Sequence, residues 1–127
     1  GIPVPRPIDC EKNVLAMEFI GEEGIPYPLM KDAKPQAPRR TFDNLINSVK
    51  TLYREAGIVH SDLSEYNVML TPDPVLIDFS MGTDVRNPMA DEMLMRDISN
   101  LVRYFRKLRL ATPEPSEIFS DITKRKL

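Results

Sequence analysis

The sequence predicts an α+β fold on three observations: a proline-rich opening, a group of short apolar strands, and two long stretches with helical periodicity around them. Seven of the twelve prolines fall within residues 1–38, which excludes a long helix there. Arg6 to Asp9 and Val14 to Phe19 read as strands separated by the polar Cys10-Glu11-Lys12-Asn13, an arrangement that predicts a hairpin. Gly21 to Pro38, rich in Gly, Pro and charge, reads as a linker. From Thr41, the residues Phe42, Leu45, Ile46, Val49, Leu52, Tyr53 and Ala56 recur at helical spacing and form one apolar stripe. Thr41 is the predicted N-cap of this helix and Gly57 the residue that ends it. Three short strands follow at Ile58-Val59, Val68 to Leu70 and Val75 to Phe79, the last two joined by a Thr71-Pro72-Asp73-Pro74 turn. A second amphipathic helix runs from about Asp91 to Leu108, with Leu94, Ile98, Leu101, Val102, Phe105 and Leu108 inward. A shorter helix from Pro115 to Lys124 closes the order.

At 127 residues, 42% hydrophobic and 28% charged, the chain suits one soluble domain with a real core, and no apolar run is long enough to span a bilayer. Its start, Gly1-Ile2-Pro3, has neither an initiator Met nor the layout of a signal peptide, and reads as the middle of a larger protein. The lone Cys10 excludes an internal disulfide, and one cysteine with one histidine argues against structural zinc; a reducing, cytoplasmic setting is expected. Charge is uneven: residues 1–100 carry 10 Lys/Arg against 16 Asp/Glu, whereas residues 101–127 carry 7 against 3. The basic end, with Arg103, Arg106, Lys107, Arg109 and Lys124-Arg125-Lys126, reads either as a solvated helix face or as a footprint for RNA or phosphate.

The chemistry-bearing residues crowd into the loops between the strands. After the first helix stands His60-x-Asp62-x-x-x-x-Asn67, and eleven residues further on Asp78 follows the apolar run Val75-Leu76-Ile77. Two carboxylates and a carboxamide at neighbouring strand ends are what divalent-metal phosphoryl transfer requires. Mg²⁺ is a hard ion that takes oxygen ligands, commonly one or two carboxylates plus substrate phosphates, and a separate carboxylate can orient the attacking hydroxyl. Singly, an Asp or Asn at a strand end is more often a turn residue, and a histidine beside an apolar pair is more often hydrogen-bonded in the core. The ordered combination of helix, strand, loop, hairpin and Asp-terminated strand is what singles these residues out.

His60 to Asn67 resembles the protein-kinase catalytic loop, and Ile77-Asp78-Phe79 resembles its metal-binding motif. The intervening Leu63-Ser64-Glu65-Tyr66 resembles the RIO family of atypical serine/threonine kinases, in the subfamily whose loop reads Asp-Leu-Ser-Glu-Tyr-Asn. Gly1 to Pro5 and Val14 to Gly21 resemble the last amino-terminal-lobe strands and the hinge. The resemblance implies a protein-kinase-like fold divided into strands and hinge (1–20), linker (21–38) and helical carboxyl-terminal lobe (39–127), with the catalytic loop at 60–67 and the metal motif at 77–79. It implies that Asp62 faces the attacking oxygen, and that Asn67 and Asp78 hold Mg²⁺ or Mn²⁺ against the phosphates of ATP. Met17 would lie behind the adenine, with the backbones of Glu18 and Ile20 at its edge, and Ser64 and Tyr66 would lie near the nucleotide. His60 would be structural, and Asp97 would brace the loop from below. Asp78 would be the candidate for an aspartyl-phosphate state. The family's partners imply the pre-ribosomal small subunit and its RNA, with neither membrane nor DNA.

Two features depart from ordinary kinases. Ser80 stands where they carry glycine, and the interval from Asp78 to the next helix is too short for a long activation segment, so a peptide substrate is not expected. None of the five glycines forms a glycine-rich loop, and none of Lys12, Lys31, Lys34 and Lys50 suits the strand lysine, so the chain alone is expected to bind ATP weakly. Two alternatives stand beside this reading: a small-molecule kinase of the aminoglycoside or choline type, and a non-catalytic ribosome- or RNA-binding module.

Overall fold

A computed structural model describes residues 7–11, 14–17, 21–22, 25–70 and 74–123, with side chains from Tyr27 onward. The opening hairpin pairs β1 (Pro7–Glu11) with β2 (Val14–Met17) antiparallel, with an irregularity between Pro7 and Asp9. Two residues each make β3 (Gly21–Glu22) and β4 (Ile25–Pro26), a second small hairpin. The stretch read as a linker therefore carries structure, and its end is anchored. Met30 donates its N–H to the Val68 carbonyl (2.8 Å), Leu70 donates to Pro28, and Lys31 donates to Glu65. Met30 is buried, and its carbonyl accepts the Tyr104 hydroxyl at 3.1 Å. Proline and charge counts signal irregular backbone but not whether one apolar side chain will find the core.

Helix α1 (Pro38–Thr51) begins four residues before the predicted start, with Ala37 rather than Thr41 at the N-cap. Proline suits a first helical turn because its fixed φ is already helical and the missing N–H would have no partner. Ala37 occupies the N-cap without a side-chain bond, and Thr41, the predicted cap, lies buried inside the helix. The helix passes into a π-helical turn, Leu52–Ala56, and ends on Gly57 at φ +68°, a left-handed conformation that glycine adopts without steric cost. The wider turn changes the helical phase. Phe42, Leu45, Val49 and Leu52 are buried as the stripe predicts, but Ala56 is exposed.

The strands between the helices are short because the backbone leaves strand geometry to build loops. β5 (Ile58–Val59) pairs with β8 (Thr83–Asp84), and β6 (Val68–Met69) pairs with β7 (Val75–Leu76), both antiparallel. The predicted strand over Val75 to Phe79 stops at Leu76, since Asp78 adopts φ +58°. Residues 71–73, most of the predicted turn, lie outside the described residues. Helix α2 (Ala90–Lys107) carries Asp91 and Glu92 in its first turn and Arg106 and Lys107 in its last, both favourable to the helix dipole. It buries Leu94, Ile98, Leu101, Val102 and Phe105 against α1 and against Ile118 and Ile122 of α3 (Pro115–Thr123). Arg54 ties the far side, donating to the carbonyls of Asp121 and Ile122.

Phe105 is fully buried and meets Phe42 and Tyr104 edge-on, with ring centroids 5.3 Å and 5.1 Å away. Phe105→Ala removes both contacts and leaves a cavity between α1 and α2; urea unfolding should show a loss of about 3–5 kcal/mol. A loss below about 1 kcal/mol would mean that the helices collapse onto the gap.

Candidate active site

The loop Ser61 to Leu63 hangs from helix α2. Asp97 is 1% exposed, and its carboxylate accepts two main-chain protons, from Ser61 N–H (2.8 Å to Oδ2) and Leu63 N–H (3.0 Å to Oδ1). On the same face, Arg96 donates to the Ser61 carbonyl at 2.6 Å and Asn100 donates to the Leu63 carbonyl at 3.1 Å. Three α2 side chains thus saturate the loop's amides and carbonyls on both sides of Asp62. Ser61 takes φ +74°, costly for a residue with a Cβ, so the surrounding bonds must impose it. Its hydroxyl also meets the Thr83 hydroxyl at 2.7 Å, joining the loop to β8. Burial pushes the Asp97 carboxyl above its ordinary value, against the amide hydrogen bonds from Leu63 and Ser61 that favour its charged form.

His60 is 2% exposed and uses both ring nitrogens. The Ile77 carbonyl can only accept, so Nε2–H donates to it (2.8 Å), and Nδ1 accepts the Asp62 N–H (3.2 Å). The ring also lies 4.8 Å from that of Phe79. A histidine committed in this way is a spacer between two loops. Ile77 is held at its other end too, since its N–H donates to the Asn67 carbonyl at 3.0 Å. Through the main chain of this one residue, the segments that carry Asp62, Asn67 and Asp78 are tied together.

Asn67 is buried and donates Nδ2–H to the Asp62 carbonyl at 2.5 Å, with the Asp62 carboxylate at the outer limit of 3.5 Å. Its Oδ1 has no hydrogen-bond partner among the described residues. Asp62 itself is exposed at the surface. Asp78 is also exposed, and its Oδ1 accepts the Ser80 hydroxyl (2.7 Å) and the Ser80 N–H (3.3 Å). Those bonds, the hydroxyl first, hold the Asp78 carboxyl below its usual value, so it is charged at neutral pH. Ser64 accepts the Tyr66 N–H at 3.2 Å and so caps the 3-10 turn Glu65–Asn67. The Tyr66 ring is 62% exposed with the Lys31 ammonium 5.7 Å from its centre.

The structure thus gathers His60, Asp62, Ser64, Tyr66, Asn67, Asp78 and Asp97 around one loop. Glu18 and Ile20 lie outside the described residues, as does the Met17 side chain, although Met17 backbone ends β2. Sequence reasoning missed Arg96, Asn100 and Thr83. The spacing of Arg96 and Asn100 on the face that carries Asp97 was the available signal for the first two; Thr83 gave none, because its partner Ser61 is distant in sequence.

Asp97→Asn places an NH₂ against one of the two amides, so donor faces donor; unfolding should become easier by about 1–3 kcal/mol. A pH series adds a sign. The Asp97 value is raised on folding, so its contribution is fully present below the unfolded value near 3.8 and declines as pH rises through the folded one. Stability measured against pH in Asp97→Asn should lack that declining component, and an unchanged profile would exclude Asp97 as its source.

The RIO domain model matches residues 1–118. The chain is similar to the RIO-type serine/threonine-protein kinase Rio1 of Methanocaldococcus jannaschii, at 42% identity over 110 residues, which are 86% of this chain and 38% of that protein. It is 36% identical over 124 residues to the Thermoplasma acidophilum Rio1, covering 98% of this chain and 64% of that protein. Human serine/threonine-protein kinase RIO1 is 33% identical over 125 residues, and the match spans 22% of its length. The chain therefore spans well under two-thirds of most of these relatives. Among solved structures, Rio2 kinase from Chaetomium thermophilum superposes over 98% of this chain with TM-scores of 0.77 and 0.78 at 23% identity, with and without an ADP/Mg²⁺-phosphoaspartate complex respectively. The overall architecture is thus protein-kinase-like, and the chain belongs to the RIO family.

Proposed function

We propose that this chain carries the phosphoryl-transfer site of a RIO-type serine/threonine kinase or ATPase acting on Mg-ATP. The observation that carries the reading is the Ile77 main chain, whose carbonyl accepts from His60 and whose N–H donates to Asn67, tying together the segments that carry Asp62, Asn67 and Asp78. The named relatives are serine/threonine kinases of this type.

The donor set suits a hard divalent ion. Asn67 spends its NH₂ on Asp62, which leaves the carboxamide oxygen as a ligand, and Asp78 supplies a charged carboxylate. Mg²⁺ or Mn²⁺ held there supplies charge neutralisation for the transferred phosphoryl group. Asp62 is the exposed carboxylate that orients the attacking oxygen and takes its proton. Ser64 accepts the Tyr66 amide through its oxygen, so its own hydroxyl proton remains available to a phosphate. Met17, Glu18 and Ile20 are assigned to the adenine by resemblance. The Chaetomium thermophilum structure holds ADP, Mg²⁺ and a phosphoaspartate; Asp78 is the corresponding candidate here.

The same reading places the protein in the cytoplasm with the pre-ribosomal small subunit and its RNA. Arg103, Arg106, Lys107 and Arg109 are all exposed along the end of α2 and just beyond, which supports a polyanionic partner. No helix among the described residues is long and apolar enough to cross a membrane.

In the full-length protein, Asp62→Ala should lower ATP turnover by roughly 10²–10⁴-fold while binding of small-subunit particles persists. Intact turnover would remove Asp62 from its role. This chain by itself, with no glycine-rich loop, should bind Mg-ATP with a millimolar constant by calorimetry; a micromolar constant would overturn that expectation.

A further inference from the structure

An exposed aspartate ordinarily rotates its carboxylate through a broad, two-fold torsional well, so either oxygen can face a ligand. Asp78 does not have that freedom. Both donors of Ser80, two residues on, converge on one oxygen: the hydroxyl reaches Oδ1 at 2.7 Å and the amide reaches it at 3.3 Å. The hydroxyl contact is much the shorter, so the side chain rather than the backbone supplies most of the restraint. A glycine at position 80 would retain only the longer contact. Ser80 is exposed, and its hydroxyl bonds no other described residue, so packing does not account for it. The Asp78 backbone at φ +58° adds to the need for an external hold, because a residue with a Cβ adopts that left-handed conformation only at a cost.

We infer that Ser80 is a positioning residue that occupies Oδ1 of Asp78 and presents Oδ2 as the single oxygen offered to the metal and the phosphoryl group. The inference rests on the reading of Asp78 as a metal ligand. A carboxylate held in this way binds in one orientation. Without the hydroxyl it can turn, and part of the bound population is lost to unproductive rotamers.

The test uses the full-length protein with a non-hydrolysable ATP analogue, reading Mn²⁺ affinity by electron paramagnetic resonance rather than turnover. Ser80→Ala and Ser80→Gly should each weaken Mn²⁺ by about 3–10-fold, the range one hydrogen bond covers. Ser80→Thr, which restores the hydroxyl, should return affinity to within about twofold of the parent. Asp78→Ala, run in parallel, should abolish the tight site. If Asp78→Ala abolishes it while Ser80→Ala binds like the parent, the Ser80 assignment falls and the metal-site reading stands. If Ser80→Thr is as weak as Ser80→Ala, the hydroxyl is not the cause and the assignment also falls. Unchanged Mn²⁺ affinity in Asp78→Ala would overturn both.

Discussion

The site depends on one buried carboxylate. Asp97 sits at the middle of α2 with a side chain that water does not reach, and it accepts the amides of Ser61 and Leu63. A buried N–H without a partner costs on the order of 1–3 kcal/mol, and two lie here within three residues. Because the acceptor belongs to a helix packed into the core through Leu94, Ile98 and Leu101, the loop inherits the rigidity of that helix. Asp62, between the two anchored amides, can therefore stay exposed without its backbone wandering.

A second layer of bonds carries that rigidity to the segment around Asp78. His60 belongs to the anchored loop and donates to Ile77, and Ile77 donates to Asn67. Both use the main chain of Ile77, so they are insensitive to which apolar side chain stands at position 77. The geometry also explains why two left-handed residues, Ser61 and Asp78, persist without glycine. Ser61 is over-determined by Asp97, Arg96 and Thr83, whereas Asp78 is held by Ser80. Strain of this kind survives only where several bonds oppose its release.

The helices were legible because their signal is periodic. Phe42 to Leu52 and Leu94 to Phe105 announced their buried faces, and those faces pack as read. Ends were less legible: Ala37 rather than Thr41 caps α1, and the π-helical turn takes Ala56 off the stripe, since a change of helical phase leaves no mark in local composition. Met30 escaped notice because a single core residue in a polar segment has no period to reveal it. The candidate site was read as a set of residues at fixed intervals; the hydrogen bonds that His60, Asn67 and Asp97 make were not readable from those intervals.

By itself, the sequence determined which residue types are present and at what intervals: the loop from His60 to Asn67, Asp78 after an apolar run, and Asp97 in mid-helix. Intervals along a chain constrain contacts only within a turn of helix or across a tight hairpin. The tertiary structure alone decided which donors reach which acceptors across separations of 17 to 37 residues: His60 to Ile77, Ser61 to Thr83 and Asp97, and Leu63 to Asn100. Those bonds form because α2 must bury its apolar stripe against α1, and that packing sets the height at which its polar residues meet the loop.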